Sequence, residues 1–303
     1  MTSSGAVAVL RCAGRSVARY LTRPALAPGH APRPYLHPVT TPAGRTVTEA
    51  LPADHPHHLG AGVAVPDVAV VADTSVTGGA GDDPAGRDPA SYDFWGGPSF
   101  VRGRGYVELG RHGVQRHDGF KLCDPDGFVA ELSWTAAGER WLREYRTVAA
   151  TCLTGSAWAL DLTFSLTNVS GRGLSLGSPA TNGRPGAAYG GFFWRAPKEA
   201  SAPVAFGPAG DGEEALHGAR ADWVALAGAG WTLVFAGATE ETRRDPWFVR
   251  AAEYPAVGSS LAHDARLALG AGESVVRRVV TVVADGRLGR EEAAALVRKA
   301  VTA

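Results

Sequence analysis

Strict alternation of apolar and polar residues is the feature that most constrains this chain. Phe128, Ala130, Leu132 and Trp134 interleave with Val129, Glu131 and Ser133, and Leu162, Phe164 and Leu166 interleave with Asp161, Thr163, Ser165 and Thr167. A period of two puts one set on each face of an extended strand, so these segments read as half-buried strands of antiparallel sheets. Further strands are expected at Leu142 to Val148, Trp223 to Leu226, Trp231 to Ala236, Ser260 to Leu269 and Val275 to Ala284. Turn pairs such as Asp126-Gly127 and Ala271-Gly272 separate them. The apolar run Ala6 to Leu10 is too short for a signal-peptide core or a membrane span and reads as another strand. One helix is expected, over 288–301, where Glu291 and Glu292 near the start and Arg298 and Lys299 near the end complement the helix dipole. Such a helix packs on the outside of a sheet.

With 303 residues, 45% of them hydrophobic, and no net charge, the chain can bury a large core and has no basic excess to recommend nucleic acid. No repeat or linker divides it, so the expectation is a single all-β domain over 1–303, a double-sheet assembly with a C-terminal helix. Cys12, Cys123 and Cys152 are odd in number and widely spaced, which suggests neither a disulfide framework nor a cysteine-type zinc site. A reducing cytoplasm is the expected location. The stretch 73–93, rich in Thr, Ser, Gly, Asp and Pro, has the length and composition of a lid or binding loop. It leads into Phe94-Trp95-Gly96-Gly97, which could stack a flat ligand or simply anchor the loop in the core.

Chemistry concentrates in two short segments. Asp54-His55-Pro56-His57-His58 holds three of the nine histidines, and imidazole both titrates near neutrality and binds metals. In Arg33-Pro34-Tyr35-Leu36-His37 the polar residues recur at every second position, so an extended backbone aims them to one side. His55 and His57 share a face on the same assumption, and the two segments together could gather Arg33, Tyr35, His37, His55 and His57 round one cavity. Solvated edge strands are the bland alternative. His55-x-His57 is similar to the His-x-His of cupins, but the first acid after the cluster is Asp67, so a divalent metal on His37, His55 and His57 is the alternative rather than the main expectation. Metal-free acid/base work needs only imidazoles and a carboxyl group. Glu144 shares a strand face with Arg146 and suits a structural pair, whereas Glu253, before Tyr254-Pro255, stands in a better position for chemistry. The glycines of Tyr189-Gly190-Gly191, ahead of Arg195, lack a phosphate-loop arrangement.

Taken in order, Arg33 to Val39, Thr41-Pro-Ala-Gly44, Asp54 to Gly60, Phe94-Trp95-Gly96, Glu144-x-Arg146-Thr147, Tyr189 to Arg195, Trp247-Phe-Val-Arg250 and Leu269 to Ser274 resemble the PmoA-like family of bacterial proteins. The resemblance spans about residues 30 to 286. It implies a large antiparallel β-supersandwich similar to galactose mutarotases, with no membrane subunit chemistry, and a sugar oxidoreductase of the Gfo/Idh/MocA type as a partner. On that basis His37, His57 and Glu253 are the expected acid/base groups. Arg33, Tyr35, His55, His58, Trp95, Arg195 and Trp247 are the expected substrate contacts. The expected activity is epimerase- or mutarotase-like, or a β-elimination from a 3-keto glycoside, without a cofactor. A non-catalytic carbohydrate-binding subunit and a metal-dependent oxygenase are the competing classes.

Overall fold

A computed structural model describes residues 7–71 and 91–303. Two large antiparallel sheets dominate it. One has seven strands in the order Val7–Cys12, Arg15–Leu21, Tyr35–Val39, Ala61–Ala64, Gly191–Arg195, Ala256–Ser260 and Trp247–Arg250. The other has nine, with Val114–Asp124, Gly127–Ala136, Glu139–Cys152, Ala157–Asn168 and Ser274–Asp285 as consecutive neighbours, followed by Trp231–Gly237, Trp223–Gly228, Val204–Gly207 and Gly210–Asp211. A four-stranded sheet built on Asp67–Val70 and Leu174–Gly177 and a hairpin of Ser99–Val101 with Gly105–Val107 complete the strands. The expected strands at 128–134, 142–148, 162–166, 223–226, 231–236 and 275–284 are all present.

The alternation does what it implies. Phe128, Ala130, Leu132 and Trp134 are buried while Val129 and Glu131 are partly exposed, and the buried set joins one apolar core that runs through both large sheets. Phe192 and Trp194 of the seven-stranded sheet reach Phe235 of the nine-stranded one, with ring centroids 6.2 and 5.6 Å apart. Six tryptophans are almost fully enclosed, and full burial of a large apolar side chain is worth about 2–3 kcal/mol. Buried indole N–H groups usually find a partner, although that of Trp141 has none among the described residues. Those of Trp158, Trp194 and Trp247 donate to the carbonyls of Thr40, Val47 and Ala221. Glu144 and Arg146 form a buried ion pair at 2.6 Å, with Trp134 donating to the same carboxylate at 2.8 Å, so Glu144 is a structural group. The helix Arg290–Val301 lays Ala293, Val297 and Ala300 on the outer face of the nine-stranded sheet, against Val280, Val282 and Ala284.

Three expectations need correction. Cys12 and Cys152, 140 positions apart, form a disulfide that ties the first strand of one sheet to the end of a long strand of the other, leaving Cys123 free and exposed. Wide spacing in sequence concealed a pair that the facing sheets bring to a Cα separation of 5.6 Å. The single strand expected over Ser260 to Leu269 is two, Ala256–Ser260 and Leu267–Leu269, belonging to different sheets. Two short helices, Glu213–Leu216 and Glu240–Arg244, accompany the C-terminal one. Of the lid-like stretch 73–93, residues 73–90 lie outside the described residues, and Ser91–Tyr92 pairs with Asp67–Val70.

Candidate functional site

The site lies on the face of the seven-stranded sheet turned away from the main core. Parity places its residues. In Gly191–Arg195, Phe192 and Trp194 enter the core, which turns Phe193 and Arg195 the other way. In Trp247–Arg250, Val249 joins the core while Phe248 packs with Phe193 and Trp95 on the opposite face. Between Tyr35–Val39 and Ala61–Ala64 the chain leaves the sheet and carries the histidine cluster over this second face.

The cluster is not extended, which corrects the strand reading. His55 N–H donates to the Pro52 carbonyl at 3.1 Å and His58 N–H to the His55 carbonyl at 2.9 Å, two successive turns that fold Pro52 to His58 back on itself. Pro52 and Pro56, with φ preset and no N–H to lose, suit such turns. The turns gather all three imidazoles rather than splitting them between faces. His55 stacks on His58 at 4.6 Å, and His57 meets His58 edge-on at 4.8 Å.

These rings form one wall of a cavity of about 630 Å³. Trp95, Tyr189 and Tyr254 supply aromatic surface, with Trp95 4.6 Å from Tyr189 and Tyr254 4.6 Å from His55. Glu253, Glu108, Arg184 and Arg250 bring charged groups to the lining. Two glycines allow the close approach. A Cβ on Gly97, whose φ is +76°, would stand 2.8 Å from the His57 ring, and one on Gly96 would stand 2.7 Å from the His30 backbone. The Phe94-Trp95 pair divides its work: Phe94 is sunk in the core against Trp134, while Trp95 faces the cavity.

The structure therefore brings together His55, His57, His58, Trp95 and Glu253 from the expected set. The other five do not line the cavity. Arg33 is buried beneath it, donating to the carbonyls of His30, Ala31, Trp95 and His57 at 3.0, 3.1, 2.6 and 2.8 Å, so it fastens three segments of the wall to one another. Tyr35 is buried in its strand. His37 pairs with Thr48 Oγ1 at 3.0 Å, away from His57, so the metal set His37, His55 and His57 is not assembled. Among the described residues no group of three His, Cys, Asp or Glu side chains could hold one metal ion. Trp247 is out by one position: it points to the core, and its neighbour Phe248 reaches the cavity. Arg195 is fully buried behind the histidines, with Glu49 at 3.1 Å, Asp54 at 3.3 Å and His58 Nδ1 at 3.2 Å from its guanidinium nitrogens. Tyr189, Tyr254 and His30 were not singled out from the sequence. The first two stand in segments that did draw notice, beside Gly190-Gly191 and Glu253, whereas nothing local marks His30.

Burial governs the electrostatics. Desolvation, with Arg33 and the neighbouring imidazoles adding repulsion, lowers His57 to about 3 and drives His58 lower still, so both rings are neutral at neutral pH. Desolvation opposes the Asp54 charge, but Arg195 and the contact from His55 outweigh it and hold that carboxyl below its ordinary value. The His55–Asp54 approach, 3.3 Å, is an ion-pair distance without good hydrogen-bond alignment. Asp93, sealed behind Trp95, is raised by burial to about 6 although the N–H groups of Gly96 and Trp95 pull it back. Tyr254 is raised by burial to about 12 and keeps its proton.

Comparison with known proteins gives a family and no activity. No curated protein matches the sequence. A galactose mutarotase related enzyme from Lactobacillus acidophilus is similar in structure, with 10% sequence identity, 93% of this chain and 100% of that chain covered, and a TM-score of 0.42. A likeness of that grade carries no argument about activity. A family model does match, over residues 8–298, and the chain belongs to that family, DUF6807, a family of unknown function.

Proposed function

We propose that the protein acts on a sugar or glycoside bound in the histidine-lined cavity, by proton transfer without covalent attachment. The observation that carries this reading is the meeting of neutral His57 and His58, the carboxyl group of Glu253 and the aromatic faces of Trp95 and Tyr254 round one cavity of about 630 Å³. That volume suits a small ligand, and flat aromatic surface beside a few polar groups suits a pyranose, whose C–H faces stack while its hydroxyls find partners. A proton removed from one carbon or oxygen and returned to another requires a base and an acid on the two sides of the ring. His57, neutral and with no hydrogen bond to its ring nitrogens among the described residues, enters as a proton acceptor or hydrogen-bond partner rather than as an imidazolium acid. Glu253 serves as the second proton-transfer group. The same pair fits two reactions: epimerisation or ring opening at an anomeric carbon, and removal of the acidified proton beside a sugar ketone with expulsion of the aglycone. An oxidoreductase that makes such a ketone is the partner this second reaction requires. The resemblance of the sequence to PmoA-like proteins is compatible with either reaction, as is the alternative of a carbohydrate-binding subunit without turnover.

Incubation with a panel of free sugars, glycosides and 3-keto glycosides, followed by NMR of the products and by calorimetry, tests the reading. Turnover of one class is expected, with His57→Ala losing turnover while keeping measurable binding. Loss of affinity alone in His57→Ala indicates a binding module. No turnover and no heat with any sugar overturns the proposal.

A further inference from the structure

The guanidinium contact made to a ring nitrogen of the cluster decides which nitrogen of His58 carries its proton. Arg195 Nη1 lies 3.2 Å from His58 Nδ1. A guanidinium has five N–H donors, no acceptor, and no accessible neutral form. Nδ1 must therefore present its lone pair to Arg195, since a proton there would set two donors head to head in a site closed to water. Neutral imidazole has one N–H, and it is left on Nε2.

We infer that Arg195 is a positioning residue: it fixes His58 as the Nε2–H tautomer, so that His58 presents a hydrogen-bond donor to an acceptor oxygen of a cavity ligand and does not serve as a base. The surroundings favour this assignment. Arg195 has no exposed surface and is itself held by Glu49 and Asp54 at 3.1 and 3.3 Å, with its Cζ 4.9 Å from the centre of the Tyr254 ring. It cannot swing away without breaking both ion pairs. The His58 ring is clamped by His55, Phe193 and Tyr254, at 4.6, 5.1 and 5.3 Å, so a flip that turned Nδ1 away from Arg195 is blocked on several sides. With Nδ1 turned to the buried guanidinium, Nε2 is the nitrogen left for the cavity that His58 lines, and it has no partner among the described residues. Burial, with the neighbouring imidazoles and Arg195, keeps the ring from taking a second proton. A neutral imidazole N–H held in a fixed direction is suited to polarising a carbonyl or holding an oxyanion, work that an imidazole lone pair cannot do.

The identity of the acceptor oxygen rests on the sugar reading above, whereas the tautomer does not. The full-length protein with ¹⁵N-labelled histidine is examined at pH 7 by two-bond ¹H–¹⁵N correlation, with His57→Gln and His58→Gln assigning the ring signals. The expected His58 pattern is a single neutral tautomer protonated on Nε2, unchanged between pH 5 and 8. Arg195→Met is expected to give a mixture of tautomers, and Arg195→Lys, which keeps a donor, to restore the single one. A wild-type His58 protonated on Nδ1, or on both nitrogens, overturns the inference, and this result does not depend on the Arg195 variants folding. An unchanged Nε2–H tautomer in folded Arg195→Met overturns the role of Arg195. A sugar panel without binding, alongside the expected tautomer, overturns the proposed function and leaves this assignment standing.

Discussion

At Gly97 one hydrogen atom separates a working wall from a blocked one. Its φ of +76° and the 2.8 Å approach of any added Cβ to the His57 ring mean that Gly97→Ala must strain the backbone, displace the imidazole, or both. The conformational part alone costs about 1–2 kcal/mol, and a catalytic group moved by about 1 Å can lose about a hundredfold in rate. Gly97→Ala is expected to keep the circular dichroism of the wild type and to lose about 10- to 100-fold in activity or affinity, read by the same sugar assays. Unchanged kinetics with a shifted ring signal would show that His57 takes no part. At this scale the sequence was partly legible. A cluster of three histidines shows in any sequence, and Glu253 and Trp95 stood out by chemistry and by their neighbours. Arg33 and Arg195 looked like ligand contacts because a charged residue in a motif carries no sign of what lies beneath it. Both are buried, and one of them spends its donors on backbone carbonyls.

Elements carry the wall through Arg33. Its guanidinium collects carbonyls from the turn Pro28–His30, from the histidine turns and from the Trp95 loop, three segments that share no strand. Burial lowers its pKa to about 10, which still leaves it charged at neutral pH. Arg33→Met strands those buried acceptors without donors, and each unsatisfied group costs about 1–3 kcal/mol. A loss of about 2–4 kcal/mol in urea unfolding is expected, with the cavity loops becoming susceptible to protease before the sheets do. A variant as stable as the wild type would mean that the loops stand without the clamp. Strands were the most legible elements, since alternation is enforced by burial of one face. Irregular connections were the least legible. The histidine segment read as extended because Pro56 favours that conformation locally, and two backbone turns closed by Pro52 and His55 carbonyls overrode it. The Trp247 assignment failed by one residue for the same reason that the strands succeeded: parity must be exact, and a motif does not state which of two adjacent aromatics faces the site.

The whole molecule should respond to acid in a defined direction. His57 and His58 are held below the ordinary histidine value by burial, so between about 6.5 and 3 the unfolded chain binds protons that the folded one refuses. Stability should fall as pH drops through that window. Asp93 works the other way between about 6 and 3.8, where the folded form holds a proton that the unfolded form releases. His37, His117 and His217, also held low by burial, add to the loss on acidification, and Asp245, held high by burial, opposes it, so the net change is a fall in stability. Urea midpoints at pH 7, 6 and 5 check it, and a flat or rising series would contradict the burial of the two rings. The disulfide makes a second demand on the whole chain. Closing a span of 140 residues between two sheets should stabilise by about 2–5 kcal/mol, so Cys12→Ser with Cys152→Ser is expected to lower the unfolding free energy by that amount. The reading of three unpaired cysteines is replaced by one bridge and one free thiol. Arg33 has a last consequence for how relatives of this chain can differ. It grips main-chain oxygens, so it reads the path of the loops and not their side chains. An insertion or deletion in one of these three segments would pull its carbonyl out of reach of the guanidinium, whereas a side-chain exchange that leaves the main-chain path alone would not.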